Sequence, residues 1–141
     1  MKKRVLTVLT MSSLLVTLAV VPVFGYGLDH KIQANVPFDF MVRDRTFPAG
    51  TYTITTPTLS GVLLIENVDS GESTVVLSTV VEGFRPTDET KFVFKRYADQ
   101  YFLDQVWVVG HLSGDKLVKS RAERELVAKF AHAENVRIAA N

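Results

Sequence analysis

From Lys31 to Val42 apolar and polar positions alternate strictly. Ile32, Ala34, Val36, Phe38, Phe40 and Val42 share one face, with Lys31, Gln33, Asn35, Pro37, Asp39 and Met41 on the other. A period of two means a half-buried strand. Pro37 has no N–H for a ladder, so the strand lies at an edge, or bends or bulges there. Arg43-Asp44-Arg45 reads as a charged turn, and Phe47-Pro48-Ala49-Gly50 fits a type I turn. Thr51–Thr55 alternates again with Tyr52 and Ile54 inward. Val62–Ile65 is apolar on both faces, as in a strand covered on two sides. Asp69-Ser70-Gly71 turns the chain into the Val- and Thr-rich strand Ser73–Val81, and Glu82–Thr90 is the longest loop. Lys91–Tyr97 sets Phe92 and Phe94 against Lys91 and Lys95. Tyr101–Val109 puts Tyr101, Leu103, Trp107 and Val109 on one face and Phe102, Val106 and Val108 on the other.

A helical period appears only near the end. Ser120-Arg121-Ala122-Glu123 matches a capping box, and Ala122, Leu126, Phe130 and Ala133 form an apolar stripe beside Val127. These signals predict an antiparallel β-sandwich or partly open barrel of six to eight strands, followed by one C-terminal helix over about 120–133. Its expected core is Phe38, Phe40, Tyr52, Ile54, Leu64, Leu77, Phe92, Phe94, Leu103, Trp107, Leu126 and Phe130.

The N-terminus carries a different pattern. Lys2, Lys3 and Arg4 precede Val5–Phe24, a run without a charge, as in a secretory signal. Val23-Phe24-Gly25 or Gly25-Tyr26-Gly27 would supply the cleavage site, and hydroxyl residues such as Thr7, Ser12 and Ser13 dilute the run. The rival is a retained anchor over residues 5–24, because a helix of that length matches the hydrocarbon thickness. The expectation is therefore a signal over 1–27 and one domain over 28–141, periplasmic or secreted, with membrane attachment only if the run is retained. The chain has no cysteine, which excludes a disulfide scaffold. Cleavage after Gly27 removes three of 16 basic residues and none of the 15 acidic ones. The mature balance is thus slightly acidic, without the footprint of a nucleic-acid binder.

Four segments together resemble a family of small exported proteins abundant in Acidobacteria: Val36–Phe40, Phe47–Tyr52, Arg96–Tyr97 with Tyr101–Leu103 and Val106–Trp107, and Lys119–Leu126. The resemblance implies export and a β-rich domain. It carries no catalytic residue.

Candidate chemistry is sparse. Val68-Asp69-Ser70-Gly71 has the form of an aspartic-protease signature, in which two aspartates share a proton, so a chain of this size would act as a homodimer. Glu72 would disturb that shared proton, and Asp-Ser-Gly between strands is ordinary turn chemistry. His111 and Ser113 lack the order of a nucleophile elbow. His30, His111 and His132 are far apart in sequence and have no metal-ligand spacing, so no metal or cofactor is expected. Arg43, Arg45, Arg85, Lys95 and Arg96 alternate with acidic neighbours. The leading expectation is a non-enzymatic binding or structural module for a protein, glycan or envelope component. Arg43, Arg45, Arg85 and His111 are its candidate binding residues, on the loops Arg43–Arg45, Glu82–Thr90 and Gly110–Asp115. A hydrolase using Asp69 is the alternative, and a small lipocalin-like carrier of an apolar ligand is a further one.

Overall fold

The alternation at the start of the domain is obeyed until Pro37, where the strand breaks in two. β1 (His30–Val36) buries Ile32, Ala34 and Val36, and β2 (Phe40–Val42) buries Phe40 and Val42. In this computed structural model, residues 30–57 and 61–141 are described. The segment read as signal or anchor, residues 1–27, lies outside them. The chain continues through β3 (Arg45–Phe47), β4 (Gly50–Thr56), β5 (Val62–Asn67), β6 (Ser73–Glu82), β7 (Lys91–Tyr97), β8 (Gln100–Trp107) and β9 (Ser113–Leu117). Helix α1 (Arg121–Lys129) and β10 (Glu134–Ala139) complete it. The fold is mainly β, a sandwich or partly open barrel with one helix near the C-terminus, and its described strands number ten where six to eight were expected.

Strand order is β1-β4-β5-β6-β9-β8-β2-β3, with β7 beside β8 and β10 beside β7. The ten-residue β6 joins the two sheets. Its first half pairs with β5 and its second half with β9. The far edges are stitched by reciprocal backbone bonds between Gln33 and Asn141, 2.8 and 2.9 Å long. Pairing is antiparallel except where β2 runs parallel to β8 at Met41 and Phe102, because the chain crosses between sheets after Pro37.

The interior is aromatic. Phe40 packs edge-on to Tyr52 and Phe94, at 4.8 and 5.3 Å between ring centroids, and stacks on Phe47 at 5.8 Å. Such pairs add about 0.5–1.5 kcal/mol beyond the area they bury. Phe38 stacks on Tyr101 at 3.9 Å along the margin of this cluster. Tyr52 satisfies its hydroxyl by donating to the Pro48 carbonyl at 2.6 Å, which ties the turn before β4 to the core.

The expected core holds for Phe40, Tyr52, Ile54, Phe92, Phe94 and Leu103 and fails elsewhere for identifiable reasons. In β5 and β6 the inward residues are Leu63, Ile65 and Val76, leaving Leu64 half-buried and Leu77 exposed. An all-apolar run carries no phase, and a slip of one residue exchanges the two faces. In β8 the phase reverses within the strand. Val93 opposes Gln105 while Phe94 opposes Leu103, so Asp104 is an extra, unpaired residue, a β-bulge. Before the bulge Leu103 points into the core. After it Val106 does, and Trp107 turns to the outer face, half-buried.

α1 is shorter than expected and is not the last element. Ser120 Oγ accepts from the Glu123 N–H at 3.1 Å, one arm of the capping box. The other arm is missing because the Glu123 carboxylate turns inward instead. The helix ends at Lys129, with Phe130 already extended, and the following residues pair as β10 with β7. Phe130 and Val127 remain exposed and Leu126 half-buried.

Truncation of Phe94 to Ala is therefore expected to cost about 3–5 kcal/mol in urea unfolding. Leu77→Ala should stay within about 0.5 kcal/mol. Equal losses at the two positions would contradict the phase described for β6.

Candidate functional site

The bulge in β8 and the alternation of β7 and β10 build a surface that sequence order conceals. On the outer face, Arg137 of β10 is opposite Val93 of β7, which is opposite Gln105 of β8, and Lys91 is opposite Trp107. Lys95 lies on the same face as Lys91, two alternations along β7. The loop between β6 and β7 folds over one end of this face. Together they enclose a groove of about 550 Å³ in which Arg85, Lys91, Lys95 and Arg137 meet Trp107 and Gln105, with Asp88 as the acidic lining residue. Lys91 pairs with Glu89 at 3.1 Å. Arg85, Lys95 and Arg137 make no ion pair with a described residue.

Trp107 is held in place by close contacts. Its Nε1 donates to Gln105 Oε1 at 2.8 Å. Its ring lies on the backbone of Gly114 in β9, so close that a Cβ there would meet Cδ2 at 2.7 Å and the Val106 carbonyl at 2.8 Å. Gly114 is needed for that approach. The groove thus has an indole on the sheet, flanked by amides and by cations on two strands and a loop.

Beneath α1 lies a second polar cluster, this one closed. Glu123 is buried, and its Oε1 accepts from Tyr97 OH and Lys119 Nζ, each at 3.4 Å. Asp104 is also buried, and neither carboxylate oxygen has a hydrogen-bond partner. Burial raises the proton affinity of the Glu123 carboxyl. The Lys119 ammonium opposes that rise, and the Asp104 charge adds to it. For Lys119, burial acts to lower the pKa, but the Glu123 charge and the Tyr97 hydroxyl outweigh it and the net shift is upward.

The residues singled out from sequence are dispersed. Asp69 stands at the exposed tip of the β5–β6 hairpin, where Asn67 Oδ1 accepts from the N–H groups of Asp69 and Ser70, at 2.9 and 3.0 Å. Gly71 supplies the left-handed residue of this turn at φ 71°. Arg45 is exposed, pairs with Glu72 and lies over the Phe47 ring. Arg43 lines a separate cavity of about 260 Å³ with Lys119, Arg121 and Arg124. Of the four candidate binding residues, Arg85 alone lines the groove. His111 is exposed on the loop before β9, and its ring lies edge-on to that of His30 at 5.1 Å, so two histidines far apart in sequence meet. Among the described residues no three His, Cys, Asp or Glu side chains cluster to hold a metal. A broader trough of about 730 Å³ over β1 and β4 has Lys31 as its sole charged lining residue and no aromatic one.

Sequence reasoning missed Lys91, Arg137, Gln105 and Trp107 as parts of one site. The shared face of Lys91 and Lys95 was visible, but Arg137 sits in a strand beyond the helix and the bulge hides the direction of Trp107. No family model matches the chain, and no curated protein or solved structure does.

Two outcomes follow from this geometry. Gly114→Ala is expected to push the indole out of its seat, visible as a shift in tryptophan emission, since the chain has one Trp; unchanged emission would contradict the packing. The folded state holds the Glu123 proton more tightly than the unfolded chain does, so this group's contribution to stability is full below the ordinary carboxylate range. It is lost as pH rises through the raised value. From about pH 4 to pH 7 the urea midpoint of the native protein should fall relative to Glu123→Gln. A parallel pH profile for the two proteins would refute this.

Proposed function

We propose that this chain is an exported binding module whose outer groove takes an acidic carbohydrate chain. The convergence of four basic side chains and the single Trp on one face of a rigid sheet carries this reading. Each lining type matches one part of such a ligand. Guanidinium and ammonium groups bind carboxylate or sulfate through charge-assisted hydrogen bonds. The indole offers a flat apolar surface to a sugar ring, and the side-chain amides of Gln105 and Asn135 match hydroxyls. A single-stranded nucleic acid fits less well, because its binding rests on several aromatic platforms for successive bases. The groove has one. Binding needs no activated side chain, and the groove offers a fixed surface with its charges already in place.

The one Trp also reports on the site. Titration with oligogalacturonate, a chain of uronic acids, is expected to change tryptophan emission, while a neutral gluco-oligosaccharide of equal length leaves it unchanged. Binding should weaken with added salt. Lys95→Glu combined with Arg137→Glu should abolish it while the circular dichroism spectrum stays native. Equal responses to the charged and neutral chains, or full binding by the double variant, would overturn the reading.

A further inference from the structure

The end of the molecule where β6 runs out carries the most exposed of the large apolar side chains, Phe84. Phe84, two residues beyond β6, is fully exposed, and Val109 and Leu112 on the β8–β9 loop are each about half exposed, at 52% and 50%. They belong to one surface, because the two loops are bonded to each other. Gly83 N–H donates to the Leu112 carbonyl at 2.8 Å, Thr87 N–H to the His111 carbonyl at 3.0 Å, and Gly110 N–H to the Thr87 carbonyl at 2.9 Å. Apolar residues on a tip stiffened in this way find no cover within the described chain.

The first described residue lies at the same end. His30 begins β1, and its ring rests against His111 in the middle of the β8–β9 loop. Upstream, Val5–Phe24 is an uncharged run of 20 residues, and only Gly25–Asp29 separate it from His30. Even fully extended, that connection reaches about 20 Å. Lys2, Lys3 and Arg4 precede the run and a single acidic residue follows it, the charge bias that leaves the basic end in the cytoplasm and the domain outside. Tyr26, just past the run, is a residue type enriched at the membrane boundary. Neither candidate cleavage site is an A-x-A.

We infer that the run 5–24 is retained in the bilayer and that Phe84, Val109 and Leu112 rest on the outer surface of that same membrane. The short connection holds the tip close to the lipid, and the exposed apolar side chains give that end a favourable contact there. The opposite end of β6, about 33 Å away along a ten-residue strand, carries the Asp69–Gly71 turn beside the half-exposed Val68, has no exposed aromatic residue, and faces away from the membrane. This inference is independent of what the groove binds.

The absence of cysteine makes the test direct. The full chain is reconstituted into phosphatidylcholine–phosphatidylglycerol vesicles, with Phe84→Cys, Leu112→Cys or Ser70→Cys each bearing an environment-sensitive fluorophore. Native circular dichroism is required of each variant. Emission from positions 84 and 112 is expected to move to shorter wavelength and to be largely lost with brominated lipid, while position 70 behaves as in water. Labels at 84 and 112 that match position 70 would overturn the inference. So would a response that appears only as protein density rises, which assigns the tip to contact between copies. N-terminal sequencing of membrane material from cells supports the inference if Met1 is present and overturns it if the chain begins at or beyond Tyr26.

Discussion

One extra residue in β8 governs the layout of the molecule. Without the bulge at Asp104, strict alternation would put Leu103, Gln105 and Trp107 on one face, and the indole would enter a core already filled by Phe40, Phe92 and Phe94. With it, Leu103 and Val106 both face inward, and Gln105 and Trp107 face out beside Lys91 and Arg137. Phe102, just before the bulge, is buried outside the main core, packed edge-on to Tyr97 at 5.8 Å on the side where Tyr97 meets Glu123 of α1. The bulge residue Asp104 acts on Glu123 of α1, so groove and helix seat meet at the bulge. A bulge costs a ladder position and re-aims the side chains beyond it.

That arrangement is unfavourable at Asp104 itself, whose carboxylate is buried without a hydrogen-bond partner. An unsatisfied buried acceptor costs about 1–3 kcal/mol, and more when charged. The neighbouring Glu123 has partners in Lys119 and Tyr97, yet burial and the Asp104 charge still raise its proton affinity. The helix is thus docked chiefly through a polar contact, and its apolar residues Val127 and Phe130 contribute little burial. Such a seat depends on protonation and on Lys119, whereas the aromatic core does not. The two layers of the molecule are held by different physics.

What the sequence made legible follows from where period and chemistry agree. Strands with clear alternation, such as β1, β4 and β7, have their inward residues where the pattern put them. The break at Pro37 and the cap at Ser120 follow from backbone chemistry alone. Alternation failed where both faces are apolar, as in Val62–Ile65, and where a bulge reversed it, as after Leu103. β9 and β10 escaped notice because short strands such as Ser113–Leu117, with Gly, Asp and Lys among five residues, look like loops until their partners are known. The groove was hidden for the same reason. Arg85, Lys95 and Arg137 are far apart in sequence, and only pairing of β10 with β7 brings the last two onto neighbouring strands.

The pairing of β10 also shows why the groove can be rigid without being buried. Its two-sided support comes from β7 on one edge and, through the Asn141–Gln33 bonds, from β1 on the other, so the end of the chain closes the sheet that carries Arg137. Lys91, Lys95 and Arg137 line the groove together with Val93 and Trp107 on this floor. The charges sit beside the folding core without being part of it. Changing them should therefore alter ligand affinity with little loss of stability, whereas changing Phe94 one residue beyond Val93 acts on stability first. Position along β7 sets the face, and the face decides whether a residue serves the core or the ligand.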